Sequence, residues 1–269
     1  MAAALPAQES RWIVEQASGW TGAEWSAQAD NVVSPHEELA VRAMVARRVS
    51  GEPLQYILGT WAFRSLELFV DQRVLIPRPE TEVVAGAAIE EARRHGAPIV
   101  VDLGTGSGAI ALSVATEVET SRVYATDVSL DALAVARVNL AGIGRCATRV
   151  TLHKGSWFDA LPTEIKGCVD VLVSNPPYVS RDDELPDDVR RWEPSVALFA
   201  DDKGRSDLRF IVEHATAWLA PGGVLVLEMA PHQTLWATQH ARAWRFTETQ
   251  LTRDLAGRDR CLIARGVRN

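Results

Sequence analysis

Residues 173–179 read Val-Ser-Asn-Pro-Pro-Tyr-Val and close a predicted strand at residues 169–174. Valines alternate with other side chains in that strand, as expected for a segment buried in a sheet. Pro176 and Pro177 have a fixed φ and no N–H, so neither continues a hydrogen-bonded ladder. Pro176 also favours an extended conformation at Asn175. The stretch therefore predicts a stiff elbow at the carboxyl end of a strand, where open α/β sheets bind their ligands.

The elbow is expected to present two hydrogen-bond acceptors on a rigid turn. One is the side-chain carbonyl of Asn175, and the other is the backbone carbonyl beside the prolines, which lacks a sheet partner. Two acceptors suit a planar –NH₂ group, and the ring of Tyr178 offers a face on which such a group could stack. The alternative is that the stretch is only a proline-stiffened turn with a solvated asparagine and has no catalytic role.

A glycine-rich turn at residues 104–108 (Gly-Thr-Gly-Ser-Gly) follows an apolar run at residues 99–103 that is typical of a buried parallel strand. With Ala109 its glycines fit the dinucleotide-binding fingerprint, and Asp127 lies about where a ribose-binding acid is expected. These features serve NAD and S-adenosylmethionine alike. Because no Gly-Lys-Ser/Thr follows, the turn is not a Walker-type phosphate loop. A tight strand-to-helix turn without a ligand is the structural alternative.

The elbow and the glycine turn together favour methyl transfer. Hydride transfer has no use for paired acceptors around an –NH₂ group, whereas methyl transfer to a weakly nucleophilic nitrogen does. The two signals follow the first and fourth strands of one alternating β/α segment, so they are expected at the same edge of a sheet.

The chain is expected to fold as an α/β protein with three parts. Residues 1–57 show helical patterning and are interpreted as a small substrate-recognition domain. Residues 58–76 are predicted to form a linking β-hairpin whose strands include residues 66–70 and 74–76. Residues 77–269 are predicted to form a seven-stranded, doubly wound, Rossmann-like methyltransferase domain.

The last part carries the predicted β/α alternation. Strands are predicted at residues 99–103, 122–127, 150–153, 169–174 and 223–229, followed by two antiparallel strands around Gly257. One helix is predicted to start within residues 77–82 and to end at Gly96, and others are predicted at residues 109–118, 129–140 and 206–219. Residues 180–205 are predicted to be a long polar loop.

Composition excludes several classes of protein. The 47% hydrophobic and 23% charged fractions are those of an ordinary globular protein. Neither a membrane-spanning run nor a signal-peptide pattern is found, and three scattered cysteines indicate reduced thiols in a cytoplasmic protein without a metal site. The formal charge of −7 argues against nucleic acid as the main partner, because non-specific affinity for nucleic acid comes from Lys and Arg on phosphates.

The chain resembles the release-factor glutamine methyltransferases of the HemK/PrmC type over nearly its full length. The matching blocks are residues 51–59 (Gly-Glu-Pro-Leu-Gln-Tyr-Ile-Leu-Gly), 74–82 (Val-Leu-Ile-Pro-Arg-Pro-Glu-Thr-Glu), 102–108 (Asp-Leu-Gly-Thr-Gly-Ser-Gly), 175–178 (Asn-Pro-Pro-Tyr), 193–198 and 254–258. The Pro-Arg-Pro-Glu-Thr-Glu block is the specific one, because many amino-methyltransferases share Asn-Pro-Pro-Tyr.

The resemblance implies methyl transfer from S-adenosylmethionine to the glutamine side-chain amide in the Gly-Gly-Gln motif of peptide chain release factors. No direct nucleic-acid or membrane partner is expected. The cofactor site that it implies comprises Gly104, Thr105, Gly106, Ser107, Gly108, Asp127, Trp157 and Asn175. The catalytic elbow that it implies comprises Asn175, Pro176, Pro177 and Tyr178.

Two positions depart from the family pattern. Family members often carry Asp at the position of Ser156, where it would contact the adenine, and usually carry Gly at the position of Ala230. Three other functions stay open: an amino-methyltransferase acting on nucleic-acid bases, an NAD-dependent oxidoreductase, and a cofactor-binding scaffold without catalysis. The negative net charge argues against an enzyme that acts on nucleic-acid bases. The paired acceptors argue against an oxidoreductase, and the intact elbow argues against a scaffold without catalysis.

Overall fold

The computed structural model describes residues 5–20, 24, 27, 32 and 34–267. Its helices are α1 Ala7–Ser18, α2 Pro35–Val49, α3 Leu54–Leu58, α4 Pro79–Ala92, α5 Ala109–Glu117, α6 Leu130–Gly142, α7 Asp187–Trp192, α8 Ser195–Leu198, α9 Ser206–Ala215 and α10 Thr234–Ala243. Its strands are β1 Thr60–Phe63, β2 Leu66–Phe69, β3 Ile99–Leu103, β4 Arg122–Asp127, β5 Val150–Lys154, β6 Val169–Ser174, β7 Leu219–Glu228, β8 Phe246–Arg253 and β9 Asp259–Val267.

The N-terminal region is helical, as its sequence predicts. Gly19 follows α1 in the left-handed conformation that commonly ends a helix. Ser34 and Glu37 form a reciprocal capping box at the start of α2, which satisfies two backbone N–H groups. An ion pair between Arg48 and Glu9 joins α2 to α1 at 2.7 Å. The described residues therefore confirm the helices of this region.

A β-hairpin links this region to the rest of the chain, but one of its predicted strands is wrong. β1 pairs antiparallel with β2, so the hairpin lies within residues 60–69. Residues 74–76 form no strand. Their apolar alternation arises because Val74 and Ile76 are buried in the core, and burial of one face does not require a sheet partner.

Seven strands form one sheet in the order β5-β4-β3-β6-β7-β9-β8. Neighbours from β5 to β7 are parallel, and β9 is antiparallel to both β7 and β8. The predicted doubly wound fold is confirmed. The chain runs outward from β3 to β5 and returns on the other side of β3 at β6, so β3 and β6 flank the point of reversal where such sheets bind ligands.

Apolar clusters cover both faces of the sheet. Val100 and Val171 face the cluster that contains α4 and α5, whereas Val101 and Leu172 face the cluster that contains α9 and α10. This alternation follows from the two-residue period of a strand. Among the described residues, no helix combines the length and hydrophobicity needed to cross a lipid bilayer.

Several predicted boundaries in the last part differ from the structure. The predicted helix 206–219 ends at Ala215, and β7 begins at Leu219 rather than at residue 223. The carbonyl of Trp218 accepts from the N–H of Val169 at 3.1 Å, which brings this segment into the sheet. The predicted loop 180–205 contains α7, α8 and a left-handed turn, and α10 is not among the predicted helices.

Candidate active site

The elbow at the end of β6 lies at the reversal point of the sheet, next to the start of α4. Ser174 Oγ donates to the carbonyl of Leu103 at 2.6 Å and so ties β6 to the end of β3. Asn175 Nδ2 donates to Thr81 Oγ1 at 3.1 Å. Because Thr81 engages the amide nitrogen, the side-chain carbonyl is the group of Asn175 that remains to accept from a ligand.

The structure places the four elbow residues in different surroundings. Asn175 and Pro177 line a cavity, whereas Pro176 is buried. Tyr178 packs against the core, and its hydroxyl donates to Glu228 Oε1 at 3.1 Å. Burial raises the pKa of this phenol, so it stays protonated. Since Tyr178 is not among the cavity-lining residues described, its stacking on a ligand stays a prediction.

The glycine turn bends sharply between β3 and α5. Gly104, Gly106 and Gly108 have φ angles of 74°, 56° and 87°, which lie in the region that favours glycine. A Cβ atom on Gly104 would lie 3.3 Å from the ring of Trp157. The turn therefore exposes its backbone to the cavity and leaves room for Trp157.

Asp127 ends β4 and faces the glycine turn. Its Oδ2 accepts from the N–H of Gly106 at 2.9 Å, and its Oδ1 accepts from the N–H of Ser129 at 2.8 Å. Burial raises the pKa of the Asp127 carboxyl, and the backbone N–H groups oppose that shift. Each oxygen keeps a further lone pair, so the carboxylate can accept from two hydroxyl groups of a ligand.

One cavity of about 480 Å³ connects these features. It extends from Asp127 to Asn175 and therefore lies across the carboxyl ends of β4, β3 and β6. Other residues that line it are Arg73, Leu75, Thr81, Gly104, Thr105, Gly106, Ser107, Ser156, Trp157, Pro194, Val196, Phe199 and Asp207. Among the described residues, no group of His, Cys, Asp and Glu side chains is arranged to hold a metal ion.

Comparison with known proteins gives the family. Residues 2–59 match the family described as PrmC N-terminal domain, and residues 88–191 match the Methyltransferase small domain. The release factor glutamine methyltransferase of Bordetella pertussis is 39% identical over 95% of this chain and 93% of that protein. That of Moorella thermoacetica is 42% identical over 85% of this chain and 82% of that protein. The chain belongs to the release factor glutamine methyltransferase family.

Solved structures share the fold of this family member at lower sequence identity. A methyltransferase from Pyrococcus furiosus aligns over 82% of this chain and 96% of its own length, with a TM-score of 0.55 and 18% identity. The 16S rRNA N2 G1207 methyltransferase of T. Thermophilus aligns over 77% of this chain and 49% of its own, with a TM-score of 0.55 and 21% identity. These likenesses show a methyltransferase fold.

Asp102 is a buried acid beneath the glycine turn of this family member. It belongs to the matching block 102–108, but its role is not predicted from sequence. Its Oδ2 accepts from Thr105 Oγ1 at 2.7 Å and from the N–H of Ala111 at 3.2 Å, which joins the turn to α5. Burial raises the pKa of Asp102 to about 7. An acid within the otherwise apolar strand 99–103 is the sequence signal for this contact.

Trp157 packs near the glycine turn and lines the cavity together with an acid from another element. The backbone of Trp157 has a φ of 45°, which is uncommon for a residue with a side chain. Asp207 of α9 lines the same cavity as Trp157, and burial raises the pKa of the Asp207 carboxyl. A carboxylate therefore borders this end of the cavity, although Ser156 stands where the family often carries Asp.

Hydrogen bonds between two distant segments lie beside another part of the cavity lining. Arg78 donates to Glu193 Oε1, and the N–H of Ile76 donates to Glu193 Oε2 at 3.2 Å. The segment that begins at Pro194 is thereby set against the segment that precedes α4. Both blocks resemble the family in sequence, but neither predicts the other as its partner.

Ala230 lies behind the elbow and is not among the described residues that line the cavity. Its N–H donates to Gln233 Oε1 at 3.0 Å. Gln233 Nε2 donates in turn to the carbonyl of Tyr178 at 3.0 Å and to that of Gly204 at 3.1 Å. Gln233 therefore supports the elbow, and no sequence pattern predicts that it does.

Proposed function

We propose that this chain transfers a methyl group from S-adenosylmethionine to the glutamine side-chain amide in the Gly-Gly-Gln motif of peptide chain release factors. The observation that carries the proposal is that the unengaged carbonyl of Asn175 lies in the same cavity as Asp127. An acceptor for an –NH₂ group thus adjoins a site suited to a nucleoside. The names of the relatives support glutamine in a release factor as the substrate.

The residues around the cavity fit S-adenosylmethionine. The glycine turn leaves its backbone open to close approach, Asp127 has lone pairs for two ribose hydroxyls, and Trp157 provides an aromatic wall for the adenine. The cavity volume of about 480 Å³ is within the range of small-molecule sites. When bound, S-adenosylmethionine supplies a methyl group on a positively charged sulfur.

The elbow is suited to a poorly nucleophilic amide nitrogen, whose lone pair is delocalised. The side-chain carbonyl of Asn175 accepts one N–H of the substrate, and the backbone carbonyl of the elbow accepts the other, which fixes the nitrogen in line with the methyl group. As the C–N bond forms and the C–S bond breaks, positive charge passes to the nitrogen, where the two acceptors stabilise it. The surplus proton then leaves to water, so no general base is required.

The surface beyond the elbow favours a protein substrate over a nucleic acid. Five acids at residues 182–184 and 187–188 are all exposed, and they follow Arg181, which lines the cavity. A base in a duplex must be flipped out of the stack and held through its flanking phosphates, which acidic side chains repel. A glutamine on a narrow Gly-Gly-Gln loop needs no such contacts.

The three parts of the chain have separate proposed tasks. Residues 1–57 recognise the release factor, and residues 77–269 bind the cofactor and carry out the methyl transfer. Residues 58–76 connect these two parts. Trp12 of α1 supports a recognition surface, because it is 37% exposed and packs edge-to-face on Trp61 at 6.1 Å. Because its partner belongs to translation, the enzyme is proposed to act in the cytoplasm.

Mass spectrometry tests the proposed reaction. Release factor incubated with the protein and S-adenosylmethionine should gain one methyl group on the peptide that carries Gly-Gly-Gln. Asn175→Ala should abolish the gain and reduce cofactor binding modestly at most, whereas Gln250→Ala, which removes an exposed amide on β8, should have no effect. Labelling of DNA or RNA with the release factor unmodified would contradict the substrate, and an active Asn175→Ala variant would contradict the role of the elbow.

A further inference from the structure

Gln233, which directly precedes α10, carries a fully buried amide behind the elbow. Its Oε1 accepts from the N–H of Ala230 at 3.0 Å, and its Nε2 donates to the carbonyls of Tyr178 at 3.0 Å and Gly204 at 3.1 Å. A backbone N–H group only donates and a backbone carbonyl only accepts, so these partners fix which way the Gln233 amide points. Buried and bonded at both ends, the side chain is placed to hold segments of the protein together.

Gly204 ends a left-handed turn that lies against the elbow. Asp202, Lys203 and Gly204 have φ angles of 53°, 57° and 76°, which is an unusual run because two of the three residues carry side chains. A Cβ atom on Gly204 would collide with the carbonyl oxygen of Tyr178 and would lie 2.8 Å from Gln233 Nε2, so only glycine fits. Strained backbone of this kind persists where its surroundings hold it, and it is concentrated at functional sites.

Backbone hydrogen bonds join the far end of the elbow to the segment that leads into this turn. The N–H of Val179 donates to the carbonyl of Leu198, and the N–H of Ala200 donates to the carbonyl of Val179, both at 3.0 Å. The end of the elbow and residues 198–204 are therefore bonded together. Gln233 bonds to both of them and to the backbone two residues after the end of β7, so it ties them to the central sheet.

We propose that Gln233 and Gly204 are positioning residues that fix the elbow for methyl transfer. The inference rests on the proposed function, in which the side-chain carbonyl of Asn175 holds the –NH₂ group of the substrate. Ser174 anchors the start of the elbow to β3, and Gln233 anchors its end at the carbonyl of Tyr178. Because the two prolines between these anchors have a fixed φ, a displacement at Tyr178 is passed on to Asn175. Both positioning residues act through the backbone of Tyr178.

Replacing Gln233 should slow methyl transfer without weakening the binding of either substrate. Gln233→Met keeps the length of the side chain but removes its donors. It should lower kcat about tenfold or more, because a misplacement of about 1 Å can cost about a hundredfold in rate. The KM for release factor and the dissociation constant of S-adenosylmethionine should stay nearly unchanged, since the proposed cofactor site is built on β3 and β4. Val150→Ala, which removes buried methyl groups from the edge strand β5, should lower the melting temperature and leave kcat unchanged.

Gly204→Ala tests the same contact from its other side. The added methyl group would push against the carbonyl of Tyr178 and should also lower kcat. Gly222→Ala is the matched control, because Gly222 has a positive φ of 85° and nothing lies within 4 Å of its Cβ position. Both replacements strain the backbone in the same way, so a loss of kcat in Gly204→Ala alone reports the contact with the elbow.

Nuclear magnetic resonance of the full-length protein reports the elbow without catalysis. Of the three tyrosines, only Tyr178 is followed by a valine, so labelling with ¹³C-carbonyl tyrosine and ¹⁵N-valine gives one signal from the Tyr178–Val179 peptide bond. The ¹³C shift of a carbonyl group responds to the loss of a hydrogen bond. The signal should therefore move in the two positioning variants and stay in place in the two controls.

Several outcomes would overturn the inference. One is a Tyr178 signal that does not move in Gln233→Met, and another is a wild-type kcat in a variant whose signal has moved. A loss of cofactor affinity as large as the loss of kcat would also contradict it, because that result indicates a general distortion of the site. If Gln233→Met does not fold, Gly204→Ala and its control decide. A wild-type protein that leaves release factor unmethylated would contradict the proposed function, and the Tyr178 signal would still show whether Gln233 holds the elbow.

Discussion

Arg78 and Glu193 form an ion pair although they are 115 residues apart in the chain. The Glu193 side chain is 1% exposed, and the Arg78 side chain is 33% exposed. Burial raises the pKa of Glu193, and Arg78 is the strongest influence that lowers it. The pair joins the segment before α4 to the segment after α7, and both segments contribute residues to the cavity lining, so it links stability to the shape of the site.

Removing this pair should weaken the fold. Arg78→Ala leaves a buried carboxyl group without its cation and should lower the free energy of unfolding by about 2–3 kcal/mol. Urea denaturation measures the change. Arg42→Ala breaks an exposed pair with Glu38 and should change stability by less than about 1 kcal/mol. Equal losses in the two variants would show that the Arg78 pair has no special role.

Asp127 should contribute to cofactor affinity. Asp127→Ala removes the acceptor for the ribose hydroxyls and should weaken S-adenosylmethionine binding by about 1.5–3 kcal/mol, the range for hydrogen bonds to charged groups. Calorimetry checks this, with Asp131→Ala in the exposed first turn of α6 as the control. Unchanged affinity would remove Asp127 from the site, and binding of NAD in place of S-adenosylmethionine would contradict the cofactor.

Gly104 should not tolerate a side chain. Gly104→Ala places a Cβ atom on a backbone with a φ of 74° and 3.3 Å from Trp157, so stability should fall by about 1–2 kcal/mol. Displacement of Trp157 should also weaken cofactor binding. Gly96→Ala, at a position without positive φ and with open space around it, is the matched control for thermal melting. Similar melting temperatures for both variants would contradict the tight approach.

Asp102 should make stability depend on pH with an unusual sign. Its pKa is about 7 in the folded protein, against 3.8 ordinarily, so the folded state keeps a proton that the unfolded state has released. This contribution to stability is complete below pH 3.8 and is lost as the pH rises to about 7. Asp102→Asn should therefore flatten the decline of the unfolding free energy over that interval, measured by urea titrations. Exposed Asp182→Asn should leave the slope as it is in the wild type.

Trp12 should matter for the release factor and not for the cofactor. Trp12→Ser removes a half-exposed aromatic group from α1 and should raise the KM for release factor by about tenfold, as expected for an aromatic anchor. The dissociation constant of S-adenosylmethionine should not change. Trp244→Ser removes a similarly exposed ring at the end of α10 and serves as the control. An unchanged KM in Trp12→Ser would argue against recognition by this surface.

Hydrophobic period and turn chemistry predict the elements that carry the site. The predicted strands 122–127 and 169–174 have the bounds of β4 and β6, because alternating or continuous apolar residues run directly into a polar end or a proline. The same signals give a wrong prediction at residues 74–76, because alternate side chains there are buried in the core although the backbone pairs with no other strand. They also miss α10, which has little apolar patterning beyond its buried Ala237 and Ala241.

Sequence alone determined the elbow, the glycine turn and Asp127, because each depends on residues next to one another or on a fixed spacing within one β/α unit. Only the tertiary structure decided which side chains support these features. Asn175 meets Thr81 across 94 residues, and Tyr178 meets Glu228 across 50. Such pairs depend on strand order and on how helices pack over the sheet, and neither is encoded in the local period of a sequence.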